Sequence, residues 1–597
     1  MFKTAKRNIR NDVLAGLTAV LTLIPEAVAF TFVAGIDPMM GLYGSFFIGF
    51  ITAVFGGRPG MISGAAGSMA VVTTAFIIMF GLEYLLAAVV LTGVLQLLFG
   101  AFKFGKFIRL MPHPVMLGFV NGLAIVIGLA QFNQFKENTR VVYDSAADLF
   151  TYAGDWMVIT SPGMITMMSL IGLTMLIVHL LPRYTKAVPA PLVAIVVCGL
   201  LVNFAGLETK RVSDVVLEQR LMMTEKNIIE SRFDAIKNDV PYGEYTSKAT
   251  QIAKERPTDV EIQQQWLAEQ KALVDAGEKS HIDVLDGSLK GTLPSFHLPD
   301  IDWELSNPNA RDALLTVFLL ALVLSSVGLI ETLMTQSLVD EITDTKGDGN
   351  RESLAQGAGN VVSGFFGGMC GCAMIGQTMV NLNSGGRGRL SGIVTALFML
   401  VFILFFPALI EMIPVASLIG VMFMVVIATF EWSSLRLFGK VPKSELVIII
   451  TVSALTVILD LAVAVGIGIV IAALVYAWNS AKQIKVESRS YGETCEYFVG
   501  GNVFFGSISD FKTSFSTPSD AKHVVIDFSE ARICDQSAIE AITVLSDAFS
   551  SRGQVVELRY LSDDCVHLLS KAGVIVKSAL QDEKGPSEHF FTTNSSA

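Results

Sequence analysis

Apolar runs long enough to cross a lipid bilayer recur along this chain from residue 11 to residue 478. Most contain roughly 17 to 25 residues, and a helix of that length spans about 30 Å of hydrocarbon. Hydrophobic residues make up 52% of the 597 residues and charged residues only 16%, which excludes an ordinary soluble protein. Because every backbone polar group inside a bilayer needs an internal partner, we predict a bundle of membrane helices.

We predict fourteen membrane segments, seven in each half of the chain. The first seven lie near residues 11–33, 41–56, 64–80, 84–100, 114–131, 163–181 and 188–205. The second seven lie near residues 311–338, 353–369, 373–383, 390–409, 413–429, 444–459 and 461–478. The third and tenth segments are too poor in apolar residues to face lipid. We therefore expect them to be partly unwound and buried in protein.

A glycine-rich motif occurs once in each half of the chain. Phe-Gly-Gly-x-x-Gly opens both copies, which cover residues 55–68 and 366–377. Each copy follows a carboxylate inside an apolar run, Glu26 in the first half and Glu331 in the second. Glycine-broken segments in corresponding places of two halves indicate a transporter site built from half-helices. Packing of helices through small residues is the alternative that a single copy would favour.

The positions of Lys and Arg predict how the chain is oriented in the membrane. Four basic residues near the start, at positions 3, 6, 7 and 10, place the N-terminus in the cytoplasm. The loops after even-numbered segments carry Lys or Arg, whereas the short loops near residues 81–83, 409–413 and 460 carry none. This alternation also places the region after residue 480 in the cytoplasm, and we predict a multi-pass protein of the inner, or plasma, membrane.

Residues 206–310 interrupt the apolar pattern with a charge-rich stretch that follows an odd-numbered segment, so we predict that they lie outside the cytoplasm. Apolar residues in 214–240 recur near the helical period, and Asp259 is suited to cap a second helix. A solvated helical hairpin is the favoured interpretation of this insertion. A docking role is the alternative.

Residues 485–580 have the pattern of a soluble α/β module. Three stretches are predicted to be strands, at residues 497–505, 524–528 and 555–561. Two stretches are predicted to be helices, at residues 538–551 and 563–572. The tail at 581–597 is rich in Ser, Thr and Glu and is predicted to be disordered.

The chain resembles the SulP family of inorganic anion transporters in several long motifs that follow the family's order. These motifs are at residues 24–30, 112–119, 188–192, 328–335, 357–360 and 384–389. The module after residue 485 is similar to a STAS domain, with residues 534–538 at its signature turn. The resemblance covers nearly the whole chain except the insertion at 210–290 and the tail.

This resemblance implies a fold of two inverted repeats of seven segments, arranged as a core domain and a gate domain. Residues 1–205 and 311–480 are then the two repeats, and the STAS domain lies in the cytoplasm. The doubled motif supports the repeat independently, because an odd number of segments per half forces the halves into opposite orientations. The resemblance also implies a homodimer.

Two half-helices that begin near the middle of the bilayer would direct their N-termini at one point. Each brings unpaired N–H groups and roughly half a positive charge, so an anion can bind without Lys or Arg. The residues expected at these N-termini are Gly67, Ser68, Met69, Ala373, Met374 and Ile375. The Ser68 hydroxyl adds a donor. The resemblance implies that Phe30 forms an aromatic wall of the anion pocket; packing against lipid or core is the alternative.

Glu331 costs about 2.5–3.5 kcal/mol at the centre of a membrane helix and must therefore face protein or water. Thr335 lies one turn further on the same face. The resemblance implies a cation site here: in the bicarbonate-transporting branch an acid and a Thr at this spacing bind sodium, and in other members an acid here is tied to proton coupling. We assign Glu331, Thr335 and Gly376 to cation coupling and add Glu26 and Gln377 as further candidates.

In the STAS-like module, Ser537 follows Asp535 at a predicted strand-to-helix turn. Related bacterial domains phosphorylate a residue at this turn, so Ser537 is a regulatory candidate, although capping of the helix by Ser537 is the favoured alternative. The six cysteines are interpreted as buried small residues and not as a disulfide framework.

The sequence favours a secondary active transporter of a small inorganic anion, with bicarbonate carried by sodium symport as the first choice. Sulfate, by proton symport or anion exchange, is the second choice, and an anion channel or a STAS-linked membrane sensor is the alternative of another class. The seven His have no metal spacing, and neither a Walker motif nor a catalytic triad is evident. We expect no enzymatic activity, no nucleic-acid partner and no cofactor beyond Na⁺ or H⁺ as the coupling ion.

Overall fold

The computed structural model describes twelve stretches of the chain. These are residues 9–105, 112–144, 149–185, 189–220, 289, 291–301, 308–436, 440–458, 461–515, 521–561, 565 and 591–592. The chain separates into two compact units, Met1–Gly468 and Ile469–Ala597. The first unit is a helical bundle, and the second contains a five-stranded sheet.

Each of the fourteen predicted membrane segments coincides with a helix in the described part of the chain. The first seven are α1 (Ile9–Ala34), α2 (Pro38–Phe55), α3 (Gly67–Phe80), α4 (Leu82–Ala101), α5 (His113–Gln131), α6 (Pro162–Tyr184) and α7 (Ala190–Ala205). The second seven are α8 (Pro308–Thr343), α9 (Gly349–Phe365), α10 (Ile375–Asn383), α11 (Arg389–Phe405), α12 (Val415–Thr429), α13 (Lys443–Ile458) and α14 (Leu461–Ala481).

Length and composition separate these helices into groups. Within the described residues, eight helices are long and apolar enough to cross a membrane, and α7 and α11 are shorter apolar helices. The third and tenth segments contain short half-helices of 14 and 9 residues, each preceded by the unwound backbone that was predicted. The number of segments that cross the membrane stays a prediction.

The two halves repeat one order of elements: a long helix, a second helix, a three-residue strand and a half-helix. The strands are β1 (Ser63–Ala65), which precedes α3, and β4 (Gly371–Ala373), which precedes α10. They pair antiparallel, with Gly64 opposite Cys372 at the centre of the register. Equivalent strands of the two halves run in opposite directions, as a two-fold relation between the halves requires, and the architecture is that of the predicted inverted-repeat fold.

The broken backbone at this strand crossing is satisfied by neighbouring side chains. Gln356 donates to the carbonyl of Gly371 at 2.7 Å, and the Asn360 side-chain oxygen accepts from the Gly371 N–H at 3.0 Å. A Cβ atom at Gly371 would collide with the carbonyl oxygen of Gly64, so only glycine permits this approach. Unwound backbone is tolerated in a membrane where protein groups replace its lost hydrogen bonds.

The helices of the first unit pack in two groups. α9 packs on α4 and α2, α11 packs on α2 and α1, and α8 packs on α4. In the other group α13 packs on α5, and α12 packs on α5 and α6. Close approach depends on small residues: Gly93 of α4 and Gly357 of α9 each face the other's backbone, where a Cβ would lie within 2.6 Å. These groups correspond to the core and gate domains that the resemblance implies.

The connections outside the helices contain elements that the sequence analysis did not predict. β2 (Lys136–Asp144) and β3 (Leu149–Trp156) form an antiparallel hairpin between α5 and α6. In the charge-rich insertion the structure describes a helix at 212–220, with Arg211 bridged to Pro414 just before α12. The rest of the predicted first helix, up to residue 240, and the second helix capped by Asp259 lie outside the described residues.

The second unit contains a mixed sheet in the order β5-β6-β7-β8-β9. The strands are β5 (Lys485–Tyr491), β6 (Thr494–Val503), β7 (His523–Ile533), β8 (Val555–Arg559) and β9 (Phe591–Thr592). The central pairs β6–β7 and β7–β8 are parallel, and the outer pairs are antiparallel. The three predicted strands correspond to β6, β7 and β8. The two edge strands were not predicted, and β9 lies in the tail for which the sequence predicts disorder.

Two helices accompany this sheet, α15 (Ile508–Thr513) and α16 (Gln536–Ser550). The second was predicted at 538–551, whereas the helix predicted at 563–572 lies outside the described residues except for Cys565. The core between helices and sheet is formed by large buried side chains, among them Tyr497, Phe511 and Phe528.

Two sequence interpretations in the second unit need correction. Asp535, and not Ser537, caps α16: one oxygen of its carboxylate accepts from Ala538 N at 2.8 Å, and the other accepts from Phe505 N, after β6, at 2.8 Å. Asp535 is the capping residue because it is the residue just before the helix, whereas Ser537 lies within the first turn of the helix. Of the cysteines, five are buried as expected, but Cys534 is exposed.

Candidate functional site

The two half-helices begin without capping side chains. α3 starts at Gly67 after the extended residue Ala66, and α10 starts at Ile375 after the extended residue Met374. Neither of these preceding residues forms a side-chain cap, whereas Asp37 and Asp348 cap α2 and α9. The first N–H groups of a helix have no intrahelical acceptor, and they carry the positive end of its dipole. The uncapped ends of α3 and α10 are therefore suited to bind an anion.

The surroundings of the two N-termini differ. A Cβ at Gly67 would lie 2.5 Å from Cε1 of Phe30, so the ring of Phe30 packs directly against the start of α3. At Gly376, in the first turn of α10, a Cβ would meet no atom within 4 Å, and this glycine is exposed. The start of α3 therefore has an aromatic wall, and the start of α10 borders open space.

Glu331 of α8 lies at the start of the first half-helix. The Ser68 hydroxyl donates a hydrogen bond to Oε2 of Glu331 at 2.5 Å, across 263 positions of sequence. The side chain of Cys372, in β4, lies beside this carboxylate. Glu331 thus lies beside Ser68 in the first turn of α3 and beside Cys372 just before α10. An acid in a membrane segment requires polar partners of this kind.

Thr335 connects α8 to the second strand. Its hydroxyl is fully buried and lies 2.8 Å from the carbonyl of Glu331 and 3.3 Å from the carbonyl of Ala373. The N–H of Ala373 donates to the hydroxyl of Thr332 at 3.1 Å. Ala373 therefore presents no free N–H to an anion, and the donors of the second half-helix begin with Ile375.

Glu26 of α1 makes the counterpart contact in the other half. It is buried, and it accepts a hydrogen bond from Nε2 of Gln377 in the first turn of α10. The acid of the first repeat thus bonds to the half-helix of the second, and Glu331 bonds to Ser68 in the half-helix of the first. This reciprocal arrangement follows the local two-fold relation between β1 and β4.

Two of the predicted site residues, Met69 and Met374, are buried. Met69 is fully buried, and its methyl group occupies the space beside Gly328 where a side chain would otherwise lie. Met374 is buried, and its N–H donates to the carbonyl of Ile62 at 2.9 Å. Met69 can therefore offer only its backbone N–H to a ligand.

The positive field at the site comes from the backbone, because neither α3 nor α10 contains Lys or Arg. Sequence reasoning missed four residues that hold the crossing together: Gln356, Asn360, Thr332 and Cys372. A signal for the first two was present, since they are two amides one turn apart in a helix otherwise rich in glycine and small residues. No sequence signal identified the other two.

The fold and the site define a multi-pass membrane transport protein built from inverted repeats. The sulfate permease family matches residues 9–248 and 270–452, and the STAS domain matches residues 485–584. The chain therefore belongs to the sulfate permease family, and it is an anion transporter of that family with a C-terminal STAS domain.

Individual relatives agree with this assignment. YbaR of Bacillus subtilis, a sulfate transporter by name, is 34% identical over 557 residues, covering 93% of this chain and 95% of YbaR. The bicarbonate transporter BicA of Picosynechococcus is 29% identical over 467 residues, covering 76% of this chain and 68% of BicA.

Solved structures show the same architecture. The transmembrane domain of a cyanobacterial BicA matches with a TM-score of 0.52 at 25% identity, covering 78% of this chain and 98% of that domain. The murine anion transporter Slc26a9 matches with a TM-score of 0.68, covering 96% of this chain and 88% of Slc26a9; at 14% identity this likeness concerns the fold alone.

Proposed function

We propose that this protein is a secondary active transporter that carries bicarbonate together with sodium. The observation that supports it best is the strand crossing, which brings two uncapped half-helix N-termini and the carboxylate of Glu331 to one point. The anion binds between the start of α3, against Phe30, and the start of α10 at Ile375 and Gly376. Since backbone dipoles and no fixed cation hold it, the anion can also leave, as transport requires.

Glu331 and Thr335 hold the sodium ion. Carboxylate, hydroxyl and backbone carbonyl oxygens are the ligands that a hard cation prefers, and the carbonyls of Glu331 and Ala373 lie at the Thr335 hydroxyl. Gly376 has no side chain, so it leaves room for an ion to reach the start of α10. Glu26 forms a buried carboxylate–amide pair with Gln377 of the other half-helix. It is a further candidate for ion coupling.

Sulfate, by proton symport or anion exchange, is the second candidate substrate. It is favoured by the relative with 34% identity, which bears a sulfate-transporter name, whereas bicarbonate is favoured by the two BicA relatives at 29% and 28% identity. An anion channel or a STAS-linked sensor is the alternative of another class. A channel conducts without a cation gradient, and a sensor binds the anion without flux.

The N-terminus and the STAS domain lie in the cytoplasm of a cell with a bacterial-type plasma membrane, because Lys and Arg follow the even-numbered segments. The transporter is a homodimer.

Uptake by proteoliposomes tests the proposal. Purified protein is reconstituted, and uptake of ¹⁴C-bicarbonate and of ³⁵S-sulfate is measured with an inward gradient of sodium or of choline at constant pH. We expect saturable bicarbonate uptake that sodium stimulates and choline does not. Sulfate uptake driven by an acid exterior would replace bicarbonate with the second candidate. Uptake that neither saturates nor responds to a cation gradient would contradict secondary active transport.

A further inference from the structure

The hydroxyl of Ser68 is the group at which the two predicted ion sites meet. Ser68 is the second residue of α3, its side chain is buried, and its Oγ lies 2.5 Å from Oε2 of Glu331. The sequence assigned Ser68 to the anion and Glu331 to the cation as separate groups. In the structure one hydrogen bond joins them.

A serine hydroxyl has one proton to donate. An ionised carboxylate is a strong acceptor, so while Glu331 is unneutralised that proton is held by Oε2. The lone pairs of Ser68 then face away from Glu331, and an anion at the start of α3 meets oxygen lone pairs in place of a donor. When a cation neutralises Glu331, the carboxylate becomes a weaker acceptor and the hydroxyl can rotate to the anion.

We propose that the Ser68 hydroxyl is a shared donor that couples the two ions: it is held by Glu331 until the cation binds and is then released to the anion. The proposal rests on the sodium-symport function given above and specifies how the two sites communicate. It involves rotation of one O–H bond and no covalent step. Ser68 is thereby a positioning residue for both ions.

The counterpart pair, Gln377 with Glu26, differs in the number of protons that its donor carries. Gln377 also donates to a buried acid, Glu26, but its amide nitrogen carries two protons. The amide of Gln377 can donate one proton to the carboxylate and the second to a ligand at the same time. Its bond to Glu26 therefore does not compete with a bond to the ligand. The shared-donor mechanism therefore belongs to the Ser68–Glu331 pair and not to its counterpart.

Thermodynamic linkage gives the test, because coupling between two sites is reciprocal and is typically 5- to 150-fold. In wild-type protein we expect sodium to lower the KM for ¹⁴C-bicarbonate by at least about fivefold between low and saturating sodium. In Ser68→Ala we expect a raised KM that changes less than about twofold over the same range, since the coupling has gone. Binding of ²²Na⁺ to detergent-solubilised Ser68→Ala should persist but no longer be enhanced by bicarbonate.

Two further variants keep the test independent of folding. Ser68→Cys is nearly isosteric with a weaker donor and should reduce the coupling, whereas Ser68→Thr retains the hydroxyl and should retain it. Thr73→Val is the matched control. It removes a buried hydroxyl from the same helix, one that donates to the carbonyl of Ala70 within that helix, and it should leave the coupling intact.

The outcomes separate the inference from the function on which it rests. Sodium-stimulated uptake by Ser68→Ala or Ser68→Cys with the wild-type dependence of KM on sodium overturns the shared donor and leaves the symporter. Wild-type uptake that is indifferent to sodium overturns the sodium symport itself.

Discussion

At the scale of single residues, the central feature is how two acids are accommodated in membrane segments. Glu331 accepts a hydrogen bond from Ser68, and Glu26 accepts one from Gln377. An isolated charge of this kind costs about 2.5–3.5 kcal/mol on insertion scales. Each acid is therefore held by polar groups at a half-helix of the opposite repeat, which places it beside any ligand bound there.

Replacement of Glu331 by Gln tests whether this carboxylate drives transport. The change keeps the shape of the side chain and removes its charge, so we expect gradient-driven uptake to be lost while insertion and thermal stability are retained. Glu341→Gln is the matched control: this acid is exposed on the same helix, and its removal should leave uptake unchanged. Normal sodium-stimulated uptake by Glu331→Gln in proteoliposomes would rule out the cation site.

Thr335→Ala should act in the same direction but more weakly. The variant loses one neutral oxygen ligand, which a water molecule can replace, so we expect a higher sodium requirement with residual uptake. The bond from Thr335 to the carbonyl of Ala373 is also lost. The sodium concentration for half-maximal uptake should therefore rise, whereas the bicarbonate KM at saturating sodium should stay near that of wild type. A fall in maximal uptake alone, with an unchanged sodium requirement, would contradict this role.

At the scale of elements, the half-helices depend on one close approach of two strands. Gly371 has no room for a side chain because the carbonyl of Gly64 occupies the position of its Cβ. The antiparallel pairing of β1 and β4 sets where α3 and α10 begin. A disturbance here should therefore affect both half-helices together.

Gly371→Ala tests this dependence. Overpacking typically costs about 1–3 kcal/mol, and the atom displaced here is backbone, so we expect a clear loss of thermal stability together with loss of uptake. Gly172→Ala in α6 is the control, because a Cβ there would meet no atom within 4 Å. Wild-type melting temperature and uptake in Gly371→Ala would mean that the crossing tolerates separation of the strands.

The cap of α16 gives a prediction for the second unit. Asp535 accepts a hydrogen bond from the N–H of Ala538 in the first turn of this helix, and loss of such a cap costs about 0.5–2 kcal/mol. Asp535→Ala in the full-length protein should speed amide hydrogen exchange in residues 536–550, and Ser537→Ala should do so much less.

Ser537→Ala should also leave anion affinity unchanged, because every residue assigned to the anion site belongs to the first unit. A large change in its affinity at normal expression would contradict that assignment.

At the scale of the whole molecule, the orientation of the helical unit is predicted from its basic residues. If the alternation of Lys and Arg is correct, the insertion at 206–310 lies outside. A cysteine introduced at Ser280 should react with an impermeant thiol reagent in intact cells freed of any outer membrane. Cys534, exposed in the second unit, should react only after permeabilisation and serves as the internal control once the buried cysteines are replaced. Labelling of position 280 only after permeabilisation would overturn the orientation.

Much of the fold was predictable because it depends on local and periodic properties of the sequence. Apolar runs of membrane length define helices wherever they occur, and all fourteen coincide with helices. The doubled glycine motif predicted the breaks before α3 and α10 and the inversion of the two halves. Strands β6, β7 and β8 were visible as apolar β-branched runs, whereas the polar edge strand β5 and the two-residue β9 carry too little pattern to be recognised.

The sequence by itself thus determined the class of fold, the places where two helices break and the acid on which ion coupling is proposed to depend. Apolar runs, glycines and a charge within an apolar run have the same physical consequences in any fold, so they can be interpreted without the structure. Only the tertiary structure decided which groups meet: Ser68 with Glu331, and Gln377 with Glu26. These contacts join residues 263 and 351 positions apart, and they arise from the two-fold pairing of β1 with β4. Local propensity carries no information about such pairs, since the partner of a hydroxyl or carboxylate is set by packing across the repeats.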